Sequence, residues 1–178
     1  MHNQGSPMHL PDNEIMIAEL LKPVGYQTAH FGKWHLSVLP QDPGLNQPQP
    51  HQQGFDYSLG TENNAQPSHL NPINFIRNGT PIGEQEGYSC QLVANEVELW
   101  FEQKYEKEKP FFLYVAFHEP HAKVASPENL IANYPGYDKK TAEYFANIEN
   151  MDLAAGRILR ALKSRGLDNN TMVFFASD

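Results

Sequence analysis

The sequence predicts an α/β fold in which helices flank a central, mostly parallel β-sheet. Segments with apolar residues at helical spacing alternate with short, continuous apolar runs, and polar residues follow directly after those runs. A continuous apolar run is typical of a strand that is buried on both faces. The chain has 178 residues, which is enough to bury a core, and we expect one domain.

The first elements are a helix and a strand. Asp12 or Asn13 can cap a helix that ends near Pro23, and residues 26–31 follow as a short strand. Residues 37–87 are rich in Pro, Gln, Asn, Gly and His, which predicts a long irregular segment. In a compact domain, such a segment is more often a functional loop than a linker.

The second half of the chain alternates more regularly. Ser89 precedes a helix with apolar residues at helical spacing, and residues 111–117 form a strand that we expect to be buried on both faces. The longest helix runs through residues 144–162 and stops at Gly166. Residues 171–176 are the last predicted strand, also buried.

Two single residues have structural interpretations. Cys90 is the only cysteine, which excludes an internal disulfide and a multi-cysteine zinc site, and we expect it to pack in the core. Asp152 has the spacing of the apolar face of the longest helix. A carboxylate buried there needs a partner, so we expect a structural bond to a neighbouring loop.

Charge and hydropathy exclude two classes of partner. The chain has 13 Lys and Arg and 21 Asp and Glu, which gives a formal net charge of −8, and no basic run is longer than a pair. We therefore expect no nucleic-acid binding. No apolar run approaches the roughly 20 residues that cross a bilayer. The start of the chain has no export-signal pattern, and the compartment stays open.

The first candidate site follows the first strand. If the backbone stays extended after Gly32, the side chains of Lys33 and His35 share a face and enter one pocket, while Trp34 packs away from it. A lysine can hold an oxyanion, and a histidine can move a proton near neutral pH. The alternative is a surface lysine beside a histidine with ordinary structural bonds.

The second candidate site follows two later strands. His121 stands at the exit of one strand with His118 and Glu119 beside it, which is where open α/β sheets bind ligands. Asp178 follows the last strand and could bind a hard cation such as Ca²⁺ or Mg²⁺. Each of these residues has a plainer interpretation as part of a surface loop or a turn.

The polar segment offers a third set of residues. His51, His69 and the pair Asn63 and Asn64 could line a pocket of the size of a sugar. They could equally belong to a solvated loop. We take Asn64 and His69 as candidate substrate-binding residues.

Residues 25–36, Gly-Tyr-Gln-Thr-Ala-His-Phe-Gly-Lys-Trp-His-Leu, resemble the second signature of the sulfatase family. Four further segments resemble the family in the same order: residues 53–56 its Gly-Phe-Asp turn, 110–120 its Pro-Phe-Phe-Leu strand, 152–167 its Asp-x-x-x-Gly-Arg-Ile-Leu helix, and 170–178 its strand with Ser-Asp at the end. The resemblance covers essentially the whole chain.

The resemblance implies an alkaline-phosphatase-like sandwich and hydrolysis of sulfate esters of carbohydrates or aryl alcohols. Sulfatases use a formylglycine, made from Cys or Ser in Cys/Ser-x-Pro/Ala-x-Arg, and a bound Ca²⁺, possibly replaced by Mg²⁺. By resemblance, Lys33 holds the sulfate oxygens and His35 is the base that releases sulfate from the covalent intermediate. His121 protonates the leaving alcohol and Asp178 binds calcium. Lys123 stands where the family often has proline, so the choice between His118 and His121 stays open.

The sequence also departs from the family. It contains no Cys/Ser-x-Pro/Ala-x-Arg motif and lacks the paired aspartates that the family has near its N-terminus. We therefore expect residues 1–178 to be a central fragment of a sulfatase catalytic domain, inactive alone, with the formylglycine outside this chain. The alternatives are a phosphoesterase or phosphonate hydrolase of the same superfamily and a degenerate, non-catalytic relative. The family is typically periplasmic, secreted or lysosomal.

Overall fold

A computed structural model describes residues 9–11, 13–37 and 48–177. The main elements in chain order are α1 (Ile17–Leu21), β1 (Gln27–Lys33), β2 (Tyr57–Thr61), β3 (Ile76–Arg77), β4 (Thr80–Pro81), α2 (Ser89–Gln103), β5 (Phe111–Ala116), α3 (Glu128–Ile131) and α4 (Lys139–Ser164). Short 3₁₀ turns occupy Lys22–Val24, Pro50–Gln52 and Asp168–Asn170. The α/β class predicted from the sequence is confirmed. No helix in the described ranges has both the length and the apolar character that a membrane crossing requires.

The described strands form one sheet with the order β4-β3-β2-β1-β5. β1 is central and runs parallel to both β2 and β5, whereas β3 and β4 extend the sheet in antiparallel fashion. The three parallel strands end at the same edge, so the residues that follow Lys33, Thr61 and Ala116 meet there. This is the edge at which open α/β sheets bind ligands.

Two glycines allow the parallel strands to approach closely near that edge. Gly32 pairs with both Gly60 and Ala116 in the register of the sheet. A Cβ on Gly60 would lie 1.7 Å from the Gly32 carbonyl oxygen, and a Cβ on Gly32 would lie 1.9 Å from the Ala116 oxygen. Gly32 also has a φ of 102°, which L side chains rarely adopt. The positions of Lys33 and Thr61 therefore depend on glycine at both preceding sites.

The core lies on both faces of this sheet. The larger cluster joins β1 and β2 to α2 and includes Phe31, Leu59, Val97 and Trp100. A smaller cluster contains Ala18 of α1, Trp34 directly after β1 and Phe55 shortly before β2. Cys90 is buried and belongs to a third cluster between α2 and α4, as predicted.

The first helix is shorter than predicted. It spans Ile17–Leu21 and continues as the 3₁₀ turn Lys22–Val24, which Gly25 closes with a φ of 95°. The helix begins at Ile17 after Met16 and Asn13 lies in a turn before it, so the predicted start is wrong, and Asp12 lies outside the described residues. The strand predicted at residues 26–31 is confirmed as β1, with an end two residues later.

Residues 48–87 are not the continuous irregular segment that the composition predicts. They contain β2 and the short antiparallel pair β3 and β4. β2 reads Tyr-Ser-Leu-Gly-Thr and resembles a loop because small residues are needed where it pairs closely with β1. This pairing joins segments almost 30 residues apart along the chain, so local composition does not reveal it.

The strand predicted at residues 111–117 forms as β5, but its expected burial on both faces is wrong. β5 is an edge strand among the described residues, and Tyr114 is 51% exposed. The strand predicted at residues 171–176 is also wrong in this structure. That segment has no regular structure, and Met172, Val173, Phe174 and Phe175 are exposed. A strand requires a neighbour for its backbone groups, and no described residue supplies one here.

The longest helix is confirmed, but its most buried face overlaps only in part with the predicted one. α4 begins after Asp138, whose carboxylate accepts hydrogen bonds from the backbone N–H groups of Lys140 and Thr141. The predicted burial of Asp152 is wrong, because its side chain is exposed. The buried stripe is rich in alanine and asparagine instead, and consists of Ala142, Ala146, Asn147, Asn150, Ala154, Ala161 and Leu162. Small residues allow α4 to pack closely against α2, and the partly buried Met151 and Ile158 of the predicted stripe pack against the same contact.

Candidate functional site

The candidate site begins with Lys33, the last residue of β1. Lys33 is half-buried, and the backbone after it remains attached to the exit of β2: the Trp34 N–H donates to the Thr61 carbonyl at 2.9 Å, and the His35 N–H donates to the Glu62 carbonyl at 2.7 Å. Trp34 is buried, as predicted, and its indole N–H donates to the Pro48 carbonyl at 3.0 Å. These bonds fix the main chain that carries the lysine and the histidine.

His35 departs from the extended backbone that strand alternation assumes. Its φ is 54°, in the left-handed region that non-glycine residues seldom occupy. The condition under which Lys33 and His35 would share a face by strand alternation, an extended backbone through His35, is therefore not met, and His35 is exposed. Such conformations in non-glycine residues persist where surrounding bonds enforce them, and they concentrate at functional sites.

His118 follows β5 and is fully buried. Its Nε2 lies 2.8 Å from Thr61 Oγ1, and this hydroxyl donates its own hydrogen to the Asn63 carbonyl at 2.5 Å. Thr61 must therefore accept from His118, which places the proton on Nε2. Burial, followed by the positive charges of His69, Lys33 and His30, lowers the pKa of His118 to about 3. His118 is thus a neutral structural group.

His121 is exposed, in contrast to His118. Its backbone N–H donates to the His118 carbonyl at 3.1 Å, which closes a tight turn between the two histidines. Its Nδ1 lies 2.9 Å from Asn64 Nδ2 and 3.0 Å from the Ala122 carbonyl oxygen. The fold therefore brings together Asn64 and His121, which are 57 residues apart. Of the two histidines between which the sequence leaves a choice, only His121 is accessible.

Glu119 anchors this turn to the rest of the protein. Its buried carboxylate accepts a hydrogen bond from the Ser89 hydroxyl and one from the Cys90 N–H at 2.9 Å, at the N-terminus of α2. A carboxylate is favourable there, because the first N–H groups of a helix lack partners within the helix and the helix dipole is positive at that end. The sequence shows Glu119 only as one of three titratable neighbours and does not reveal this role.

His69 lies behind the turn and not in front of it. The ring is fully buried, with Nδ1 3.9 Å from Glu119 Oε1 and 3.1 Å from Asn147 Nδ2. Desolvation lowers the pKa of His69, opposed by the negative charge of Glu119. His51 is exposed and lies near Gly79, beside the turn between β3 and β4. The described contacts of these two residues do not connect them to an open sugar pocket.

His, Cys, Asp and Glu are the side chains that most often bind metal ions. In residues 9–11, 13–37 and 48–177, no group of three or more His, Cys, Asp or Glu is arranged to hold a metal ion. Asp178, the predicted ligand, lies outside the described residues.

Comparison with known proteins supports one family across the chain. The family model described as Sulfatase matches residues 1–178. The ulvan-active sulfatase of Formosa agariphila is 30% identical over 189 residues, which cover 96% of this chain and 36% of that protein. The N-acetylgalactosamine-6-sulfatase of Mus musculus is 28% identical over 184 residues, covering 95% and 33%. The chain thus spans about a third of the length of these relatives.

Solved structures agree. A structure of Ps i-CgsB in complex with k-i-k-neocarrahexaose matches with a TM-score of 0.75 and 25% identity, over 92% of this chain and 39% of that one. A structure of BT33494S-sulf, described with the metabolism of multiple glycosaminoglycans by bacteroides thetaiotaomicron, matches with a TM-score of 0.73 and 26% identity, over 92% of this chain and 41% of that one. The sheet and helices therefore have the alkaline-phosphatase-like arrangement of these neighbours. This chain belongs to the sulfatase family.

Proposed function

We propose that this chain carries one side of the catalytic centre of a sulfuric ester hydrolase, and that residues 1–178 are part of its catalytic domain. The supporting observation is that Lys33 and the turn carrying His121 follow neighbouring parallel strands, β1 and β5, at one edge of the sheet. A cation and an accessible imidazole at one edge suit a reaction in which a charged sulfate is held and an alkoxide leaves.

Each residue has a proposed task. Lys33 binds the sulfate oxygens and stabilises the charge that develops on them. His121 donates a proton to the leaving oxygen as the S–O bond breaks, so that the product departs as an alcohol. His35 acts as the base that releases sulfate in the second half of the reaction. Asn64 borders the same site, whereas we propose no direct substrate contact for His69 because it is fully buried.

The nucleophile and the cation are proposed to come from outside the described residues. A formylglycine hydrate supplies the attacking oxygen when it is present, and the sequence has no Cys/Ser-x-Pro/Ala-x-Arg motif from which this chain could make one. Asp178 is the proposed contribution of this chain to a Ca²⁺ or Mg²⁺ site, since a carboxylate is a ligand that hard cations prefer.

Sulfated carbohydrates are the proposed substrates, with aryl sulfates as simple analogues. The relatives include an ulvan-active sulfatase and an N-acetylgalactosamine-6-sulfatase, and one solved neighbour is a complex with k-i-k-neocarrahexaose. The loops after β1 and β2 border Lys33, His35 and Asn64, so differences in these loops would select among sugars.

The test uses the protein encoded by the complete reading frame that contains this chain. Purified protein is assayed on 4-nitrophenyl sulfate, on a sulfated galactosamine and on the matching phosphate esters. We expect sulfate hydrolysis to dominate, and Lys33→Ala and His121→Ala each to lower kcat/KM by about 100-fold or more. Lys104→Ala, an exposed lysine at the end of α2, is the control and should have no effect. Folded protein without sulfate hydrolysis would refute the proposal, and faster phosphate hydrolysis would establish the phosphoesterase alternative.

A further inference from the structure

The contacts of His121 differ sharply between its two ring nitrogens. Nδ1 lies within hydrogen-bond distance of two groups, the Asn64 side-chain amide at 2.9 Å and the Ala122 carbonyl at 3.0 Å. No described residue hydrogen-bonds Nε2, and the ring is exposed. Nε2 is therefore the nitrogen that can exchange a proton with a bound molecule.

The two contacts to Nδ1 require opposite protonation states of this nitrogen. The Ala122 carbonyl can only accept, so it requires a hydrogen on Nδ1, whereas the NH₂ group of Asn64 requires a lone pair there. The oxygen and nitrogen of an amide exchange places by a half-turn of the side chain. Asn64 Oδ1 is buried and has no hydrogen-bond partner among the described residues. With the amide turned, Oδ1 would accept from the Nδ1–H of a charged or neutral His121.

Asn64 is itself held firmly. Its backbone carbonyl accepts from Asn74 Nδ2 at 3.0 Å, and Asn74 Oδ1 accepts from the Gln66 N–H at 2.9 Å. The preceding residue, Asn63, accepts from Thr61 through its carbonyl. These hydrogen bonds fix the loop that carries Asn64. Its side-chain amide can therefore restrain the ring of His121.

We propose that Asn64 is a positioning residue for His121. The side-chain amide of Asn64 engages Nδ1 of His121 and keeps Nε2 directed at the leaving oxygen of the substrate. This rests on the proposed function of His121 as the acid. In the step concerned, the S–O bond breaks and the Nε2 proton of the imidazolium moves to the departing oxygen. A neutral imidazole remains, with its hydrogen on Nδ1. Asn64 and the Ala122 carbonyl hold that hydrogen throughout, so the ring does not turn when its charge changes.

A positioning role predicts a dependence on the leaving group. A good leaving group, such as 4-nitrophenolate, needs little protonation, whereas a sugar alkoxide needs it strongly. In the complete protein, Asn64→Leu should lower kcat for a sulfated sugar at least about 10-fold more than kcat for 4-nitrophenyl sulfate, in the same direction as His121→Ala. Asn64→Asp keeps an acceptor for Nδ1–H, so it should retain most of the kcat for the sulfated sugar that Asn64→Leu loses. Asn63→Ala, an exposed neighbour on the same loop, is the matched control.

A second measurement does not depend on turnover. The ¹⁵N chemical shifts of the His121 ring report which nitrogen carries the proton, and Asn64→Leu should change the tautomer distribution, whereas Asn63→Ala should not. Equal losses on both leaving groups, or an unchanged distribution in Asn64→Leu, would overturn the proposal. An inactive wild-type protein would refute the proposed function alone, since the ring shifts would still decide whether Asn64 holds His121.

Discussion

His118 and Thr61 connect the exits of β5 and β2 across the end of β1, with Nε2 2.8 Å from Oγ1. A second connection, between His121 and Asn64, joins the same two loops three residues further along each loop. The strand that ends in Lys33 lies between these loops. The buried histidine therefore supports the loops around the candidate site, while the exposed one is free to react.

Thr61→Val tests this support. The substitution conserves shape but leaves the buried Nε2–H of His118 without an acceptor, and we expect it to lower the free energy of unfolding by about 1–3 kcal/mol. Thr80→Val removes a hydroxyl from an exposed strand position and should change stability by less than about 0.5 kcal/mol. Urea denaturation measures both. A loss at Thr61 no larger than that at Thr80 would show that the bond does not support the fold.

The buried histidines predict acid sensitivity. Burial lowers the pKa of His30 to about 4 and that of His118 to about 3, below the usual 6.5. Between pH 6.5 and 4 the unfolded chain binds protons that the folded chain does not, so stability is complete above pH 6.5 and falls as the pH decreases. The expected loss by pH 4 is on the order of a few kcal/mol for each histidine.

His30→Phe should reduce this pH dependence. The ring of His30 packs against Trp34, Phe55 and Tyr114, so phenylalanine suits its surroundings and cannot titrate. Denaturation curves at pH 7 and pH 5 measure the slope for the variant and for wild type. Thr80→Val, which removes no titratable group from an exposed position, should leave the slope unchanged. If His30→Phe retained the wild-type slope, His30 would not be a source of it.

Glu119→Ala should destabilise the protein more than an ordinary surface truncation. It deprives the Ser89 hydroxyl and the Cys90 N–H of their common acceptor at the buried start of α2, and we expect a loss of about 2–4 kcal/mol. Glu108→Ala, an exposed carboxylate beyond α2, is the control and should be near neutral. Thermal melts followed by circular dichroism compare the two. Similar melting temperatures for both variants would refute the anchoring role.

Gly60→Ala tests the close approach of the strands beside Lys33. The added Cβ would lie 1.7 Å from a main-chain oxygen of β1, which cannot move without displacing the strand, so we expect a loss of more than about 3 kcal/mol. Gly136→Ala adds its Cβ where nothing lies within 4 Å and should be tolerated. The free energies of unfolding of both variants decide the matter. A stable Gly60→Ala protein would mean that the strands can separate without cost.

Several helices and strands could be predicted from the sequence, because the spacing of their apolar residues is a property of neighbouring residues in the chain. Helical spacing predicts α2 and α4, a continuous apolar run predicts β5, and β1 is predicted as the short segment after the helix that ends near Pro23. β2 escapes prediction because its small residues become a strand only when they pair with β1. The segment at residues 171–176 shows the reverse: strong strand propensity produces no strand without a described neighbour.

The sequence by itself determined the family, the α/β class and the identity of the candidate residues Lys33, His35 and His121, because the order and spacing of chemically distinct side chains are properties of the chain. Tertiary structure alone decided which histidine is accessible, why Glu119 is buried, and that Asn64 meets His121. Those outcomes depend on contacts between residues that are 30 to 57 positions apart. Burial, hydrogen-bond partners and pKa shifts arise only from such contacts.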